Sequence, residues 1–280
     1  MESAQQVRLY AFPMTRRLLI LCVCLCVPAL VTPRRALPQA GPPYITNDPG
    51  TPGDANWEIN VGQMTTVERA AAAYQLPQID LNFGLGDRIQ LTFEVPYVVE
   101  TADGQPSARA WSNAFPGVKW RFFDQGEGGW QISTFPQFET GASAQAQRAG
   151  IAQDAPRLLL PVEFARAVGP VDLDFEAGYY VPWHGHGNEE RILGFVAGHT
   201  FTPRLELDAE LYNDHGMGGA PPDFTTLDLG GRYKLHRGFI LLFMAGRSIA
   251  GPAATQVDFM GYIGIQILLS NYGRTLTSDP

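Results

Sequence analysis

Cysteine is almost missing from this 280-residue chain: Cys22, Cys24 and Cys26 are the only three, clustered near the start. A disulfide-stapled fold is therefore excluded, and so is a zinc-type cysteine site, which would need further ligands at fixed spacing. Charge is sparse as well. Asp, Glu, Lys and Arg make up 17% of residues, against about 25% in ordinary soluble domains, too few to hydrate a whole surface. After residue 40 the longest apolar run is Phe239 to Ala245, far short of the roughly 20 residues of a spanning helix. Helical periodicity is nearly absent, apart from an alanine-rich turn expected near Glu68 to Ala73. There is no Gly-x-Ser-x-Gly elbow, no phosphate-cradling glycine loop and no dinucleotide fingerprint, so an enzyme is not expected and no cofactor is implied.

The net charge of -8 conceals two unlike parts. Residues 1–40 carry five Arg against Glu2 alone, +4, which leaves 15 basic and 27 acidic residues, -12, for the rest. An acidic body argues against a nucleic-acid partner, because phosphate binding needs a basic face. Arg16 and Arg17 precede an apolar stretch, Leu18 to Val31, with the charge and length of a secretory signal. Residues 1–40 are read as that signal. Met14 just ahead of the basic pair is an alternative start, and cleavage after Ala29 or after Ala40 both stay open. The three cysteines would leave with it.

What fills the remaining chain is period-two alternation, the mark of strands with two unlike faces. Val171-Asp172-Leu173-Asp174-Phe175-Glu176-Ala177 alternates without an error, and so does Leu205-Glu206-Leu207-Asp208-Ala209-Glu210-Leu211. About twelve strands follow, near 56–66, 73–85, 88–99, 114–123, 129–139, 157–168, 171–181, 190–201, 204–213, 224–235, 238–249 and 256–268. Connections alternate between short turns, such as Gly86-Asp87, Gly169-Pro170, Thr202-Pro203 and His236-Arg237, and mostly longer stretches such as 100–113 and 140–156.

Short turns at one end and long loops at the other, over an even number of antiparallel strands, describe an outer-membrane barrel. The competing architecture is a soluble lipocalin-like barrel or double sheet with its apolar face inward. Twelve strands enclose a lumen wide enough to be polar, which turns the apolar face outward to lipid. The expectation is all-β: a transmembrane antiparallel up-and-down barrel over residues 56–270, preceded by a periplasmic segment, 41–55, and followed by a tail, 271–280. Glu58, Asp80, Glu94, Arg121, Asp172, Asp174, Glu176, Glu206, Asp208, Glu210, Asp228 and Arg232 are the candidate lumen lining, with Arg88, Arg166 and Arg204 as nearby partners. Loops 100–113 and 140–156 are the expected constrictions. Trp57, Tyr97, Trp111, Trp120, Trp130, Tyr179, Tyr180, Trp183, Tyr212, Tyr233 and Tyr262 are candidates for interfacial girdles. Pro96, Pro136 and Pro161 inside proposed strands predict bulges or strand ends.

The stretch Pro42-Pro43-Tyr44-Ile45-Thr46-Asn47-Asp48-Pro49, followed by Trp57-Glu58, resembles the opening of the outer-membrane barrel family named for the putative meta-pathway of phenol degradation. The likeness continues through Gly84-Leu85-Gly86-Asp87-Arg88, Pro116-Gly117-Val118-Lys119-Trp120, Phe135-Pro136-Gln137-Phe138-Glu139 and Ala245-Gly246-Arg247. Two departures are Asn47 where the family has an acidic residue and the lack of a terminal aromatic, Tyr272 being the last. The resemblance implies a channel or transporter in the outer membrane of a Gram-negative-type envelope, passing small solutes, aromatic or apolar ones among them, by passive diffusion. Its partners would be outer-membrane lipid, the solute and, during biogenesis, the barrel-assembly machinery.

His184, His186 and His215 in two external loops are weak candidates for a metal site, since imidazole suits Zn, Cu or Ni. An outer-membrane lipid hydrolase, with Ser133 or Ser248 as nucleophile, and a secreted or periplasmic binding barrel are the two alternative functions.

Overall fold

In a computed structural model, the described residues are 41–126, 128–151, 155–183, 189–219 and 222–270. Residues 1–40 and 271–280, which hold the expected signal and tail, lie outside them, as do His184 and His186. The strands are β1 (Trp57–Glu68), β2 (Ala71–Leu85), β3 (Ile89–Ala102), β4 (Ala108–Trp111), β5 (Phe115–Asp124), β6 (Gln131–Thr134) and β7 (Gln137–Glu139). After a short helix, α1 (Ala144–Ala149), come β8 (Arg157–Val168), β9 (Val171–Pro182), β10 (Glu190–Thr202), β11 (Leu205–Gly216), β12 (Asp223–His236), β13 (Phe239–Ala250) and β14 (Val257–Leu269).

Two pairs of these segments each make one wall strand. Both β4 and β5 pair with β3, at Tyr97–Glu100 and at Ile89–Glu94. Both β6 and β7 pair with β8, at Val162–Ala165 and at Arg157–Leu159. Twelve wall strands result, every neighbouring pair antiparallel, and β1 pairs with β2 on one side and β14 on the other, so the sheet closes into a barrel. Closure leaves no open edge, the condition for a sheet to sit in lipid.

Proline accounts for one of the two interruptions. Pro136, without an amide donor, falls between β6 and β7. The wall there is sealed by irregular bonds: Val118 N–H donates to the Pro136 carbonyl at 3.0 Å, and Thr140 N–H to the Ala114 carbonyl at 2.9 Å. Pro96 stays within β3 but sits at a register shift of the β2–β3 ladder, between the pairs Gln75–Val98 and Gln78–Pro96, whereas Pro161 pairs regularly with Gly178 inside β8. The expected helical turn near Glu68 to Ala73 does not form. Ala71–Ala73 extends β2 instead, in register with Glu100–Ala102 of β3, because a single helical turn is costly to nucleate and a ladder neighbour is at hand. The helix lies at Ala144–Ala149, where the Ser143 side chain accepts from the Ala146 N–H and Gly150, at φ 70°, terminates it.

Alternation sorts the side chains as expected. Leu91, Phe93, Val118, Val162, Phe195, Leu229 and Ile263 stand exposed on the outside, while Asn60, Glu163, Glu176, Glu210 and Asp228 are fully buried inside. Aromatic groups border the outer band: Trp57 against Phe83 and Trp120 against Phe122 toward the turns, Tyr97 against Trp111 and Phe138 against Trp183 toward the loops. Tyr180, Tyr212 and Tyr262 are not girdle residues: their parity turns them inward, and Tyr212 and Tyr262 pack in lumen clusters. Leu229, near the middle of β12, is 62% exposed on that outer face. Leu229→Arg is expected to cost about 2–4 kcal/mol, as for a cation at the bilayer midplane, read as a lowered urea midpoint in lipid vesicles.

Candidate functional site: the barrel lumen

Strand register sets inward carboxylates opposite one another in pairs. Glu163 of β8 faces Glu176 of β9, Glu210 of β11 faces Asp228 of β12, and Asp80 of β2 faces Glu94 of β3. Like charges directly opposite repel, and buried ones need hydrogen-bond donors, so the question is what donates to them.

Around β1–β3 the donors come from the wall. Asp80 accepts from Asn60 Nδ2 at 2.9 Å and Asn82 Nδ2 at 2.8 Å, Glu94 from Gln78 Nε2 at 2.6 Å, and Glu58 from Asn60 Nδ2 at 3.1 Å. Asp228 accepts from Thr226 Oγ1 at 2.6 Å, and Glu163 from the Ser133 hydroxyl. Lys119 Nζ stands 3.8 Å from Glu163. Arg232 Nη1 lies 3.6 Å from Glu206.

For Glu176 and Glu210 the donors come from the N-terminal segment. Glu210 Oε1 accepts from the backbone N–H of Thr46 at 2.7 Å and of Ile45 at 3.1 Å, and Glu176 Oε2 from that of Asn47 at 2.7 Å. Lys119 donates to the Asp48 carbonyl, Arg232 Nη2 to the Pro42 carbonyl at 3.1 Å, and Tyr44 Oη to the Asp208 carbonyl at 3.2 Å. Burial, with Asp208 beside it, pushes the Tyr44 phenol up, which keeps it a neutral donor. Thr46 occupies the space a side chain at Gly194 would fill, since a Cβ there would come within 2.1 Å of Thr46 Oγ1. The expected periplasmic segment 41–55 therefore has its first part, Gly41 to Gly50, inside the barrel. The rest returns to the turn end, where Ala55 N–H donates to the Gly84 carbonyl at 2.9 Å and Thr51 Oγ1 to that of Asp87 at 2.9 Å.

Between the acidic strands, on β13 and β14, Ile240, Leu242, Met244, Met260 and Tyr262 form an apolar wall that packs on Tyr44. Toward the loops, Arg157 holds Glu139 at 2.6 Å and Glu190 at 2.5 Å, with its guanidinium 4.4 Å over the Tyr180 ring. Helix α1 in the 140–156 loop packs inward, Ala146 and Ile151 against Val98 and Ala110. Half of loop 100–113 is taken up by the end of β3 and by β4.

Of the candidate lining, Glu58, Asp80, Glu94, Asp172, Asp174, Glu176, Glu206, Asp208, Glu210, Asp228 and Arg232 stand at inward positions of their strands, and the suggested partners Arg88 and Arg204 are exposed in the turns before β3 and β11. Arg121 sits at the turn end, donating to the Asp87 carbonyl at 2.7 Å and 3.3 Å from Asp124. Arg166 falls on the outward parity of β8, 5.2 Å over the Trp130 ring, so it is no partner of lumen carboxylates. Asp172 and Asp174 lie on the inner face of β9, half-buried and buried respectively. Lys119, Glu163, Arg157 and the N-terminal segment were not predicted. Lys119 shares its parity with Arg121 and was legible in that alternation, whereas Glu163 sits in a leucine-rich run that masks its period. His215 pairs with Asp223 at 2.9 Å, and no cluster able to hold a metal ion occurs among the described residues. Ser133 is spent on Glu163, and Ser248 Oγ accepts the Val257 N–H at 2.9 Å; neither is hydrogen-bonded to a histidine among the described residues.

Comparison with profiles of known families finds no match, and comparison with curated proteins by sequence finds none either. The likeness to the phenol-degradation family accordingly rests on the short motifs above. Solved structures do match. An outer membrane channel from Pseudomonas putida F1 superposes with a TM-score of 0.62 at 10% identity, over 79% of this chain and 98% of that one. The KdgM porin, also solved in complex with disordered oligogalacturonate, gives a TM-score of 0.51 over 75% of this chain and 98% of its own, at 10% identity and, for the complex, 11%. At such identities the likeness is one of fold: a closed twelve-stranded antiparallel barrel of the outer-membrane type.

Proposed function

We propose that this protein is an outer-membrane channel through which small solutes diffuse passively, of the kind found in the phenol-degradation barrel family. Residues 1–40 would direct export and be removed, and the apolar belt would face outer-membrane lipid after insertion by the assembly machinery. The observation that carries the reading is the pairing of an apolar exterior with a lumen of opposite character, lined by Asp80, Glu94, Glu163, Asp174, Glu176, Glu206, Asp208, Glu210 and Asp228 against Lys119 and Arg232. A charged ring in a narrow pore sets selectivity by sign, so cations should pass better than anions. The apolar wall of Leu242, Met244 and Met260 gives uncharged aromatic or apolar solutes a surface to slide along, in agreement with the expected solute class.

The test is electrical. With protein in a planar bilayer under a potassium chloride gradient, the reversal potential should have the sign of a cation-preferring pore. An anion-preferring potential would sink the proposal, as would recovery of the protein in the soluble fraction of fractionated cells.

A further inference from the structure

We propose that Gly41 to Gly50 is a tethered peptide ligand, held in a displaceable site on the lumen wall, and that its presence there closes the pore. This rests on the channel reading above. Three observations carry it.

First, the barrel does not depend on the segment for its ladder. The segment joins no strand, β1 begins only at Trp57, and β1 is paired on both sides without it. Second, the wall reads it as a peptide: Glu210, Glu176, Lys119 and Arg232, from four different strands, contact its main-chain N–H and C=O groups. Its side chains enter two slots, Thr46 over Gly194 and Tyr44 against Leu242, Met244 and Tyr262. This is the mode by which proteins capture extended peptides, main chain for affinity and side chains for register. Third, both ends of the inserted stretch lie on the turn side. Pro42 meets Arg232, four residues before the end of β12 at His236, and Ala55 meets Gly84, next to the end of β2 at Leu85. A loop inserted from one side withdraws to that side without threading. Its withdrawal opens the mid-barrel and exposes Glu176 and Glu210 to water and cations.

The Gly194–Thr46 contact supplies a test that leaves the charges alone. Gly194→Ala adds one methyl group where Thr46 now sits; overpacking of that size is enough to shift the closed-to-open ratio by about tenfold or more. Adding Thr46→Gly to Gly194→Ala restores the room and should return the wild-type ratio. Two readouts are needed on the full chain: single-channel open fraction in planar bilayers, and the rate at which Asn47→Cys reacts with a membrane-impermeant maleimide, the labelled site being located by mass spectrometry. The expected result is a low open fraction and slow labelling for the parent, about a tenfold rise in both with Gly194→Ala, and reversal in the double variant. A parent that conducts as fully as Gly194→Ala, or labelling that ignores the swap, overturns the tethered ligand while leaving a channel standing. Absence of current from every variant, with labelling still following the swap, overturns the channel reading and pore closure but supports the displaceable segment.

Discussion

Replacing Arg157 with methionine is expected to destabilise the barrel by about 3–5 kcal/mol, the usual cost of leaving buried charges without their partner. Arg157 is 9% exposed and bridges two carboxylates from different wall strands, Glu139 on β7 and Glu190 on β10. Both are themselves buried, so neither can recruit bulk water when the guanidinium goes. Its planar fork matters: Nε and Nη2 reach Glu139 at 2.8 and 2.6 Å while Nη1 reaches Glu190. A lysine offers one point charge in place of that fork, so Arg157→Lys should recover only part of the loss. Location decides the second consequence. The bridge lies at the loop end, where Asn113 Nδ2 also donates to Glu139 at 2.9 Å, next to the break between β4 and β5. Without it the loop that carries α1 loses its anchor on the β7 side, and limited proteolysis should cut first between residues 140 and 156. The stability loss is read from urea unfolding in vesicles, followed by the heat-modifiable shift on gels. A variant that unfolds at the parental midpoint would show the bridge to be energetically idle.

Which parts of this architecture were legible beforehand follows from how locally they are encoded. β9 and β11 alternate acid with apolar residue and were readable to within three residues at either end, because a strand with lipid on one side and a polar lumen on the other has its pattern written in consecutive positions. The helix was misplaced for a similar reason in reverse. Alanine content pointed to residues 68–73, whereas the capping pair Ser143 and Gly150, also present in the sequence, marked the true site. Glu163 is partnered by Ser133 and Lys119, on strands that precede it by 30 and more positions. Nothing in the Leu158-to-Leu160 run beside it advertises that. The N-terminal segment is the extreme instance. Its motif was recognisable, but Thr46 and Glu210 are 164 residues apart, and a segment without period carries no mark of the wall it will meet. Sequence alone placed the carboxylates inside; it could not say that main-chain amides of the same chain would satisfy two of them.

Lys119 joins the wall to that segment, and its loss is the other large effect expected. Lys119→Met should cost about 3–5 kcal/mol, since it leaves Glu163, opposite Glu176, without its cationic neighbour. Lys119 is 5% exposed, and its ammonium stands 4.7 Å over the Phe135 ring, donates to the Asp48 carbonyl and lies 3.8 Å from Glu163. Methionine keeps the unbranched stem and most of the packing, so the deficit is electrostatic and not a cavity. That assignment can be checked with a double-mutant cycle. If the penalty arises from the stranded carboxylate, Glu163→Gln should be milder in the Lys119→Met background than alone, and the coupling between the two should reach about 0.5–3 kcal/mol, as for residues in direct contact. Additive losses would mean that Lys119 acts through the Asp48 carbonyl alone. The cycle is measured by urea unfolding of all four proteins in the same vesicles. Because Ser133 donates to the same carboxylate oxygen, Glu163 Oε2, Ser133→Ala should raise the cost of Lys119→Met further, whereas Ser248→Ala, whose hydroxyl accepts the Val257 N–H in the β13–β14 connection, should leave it unchanged.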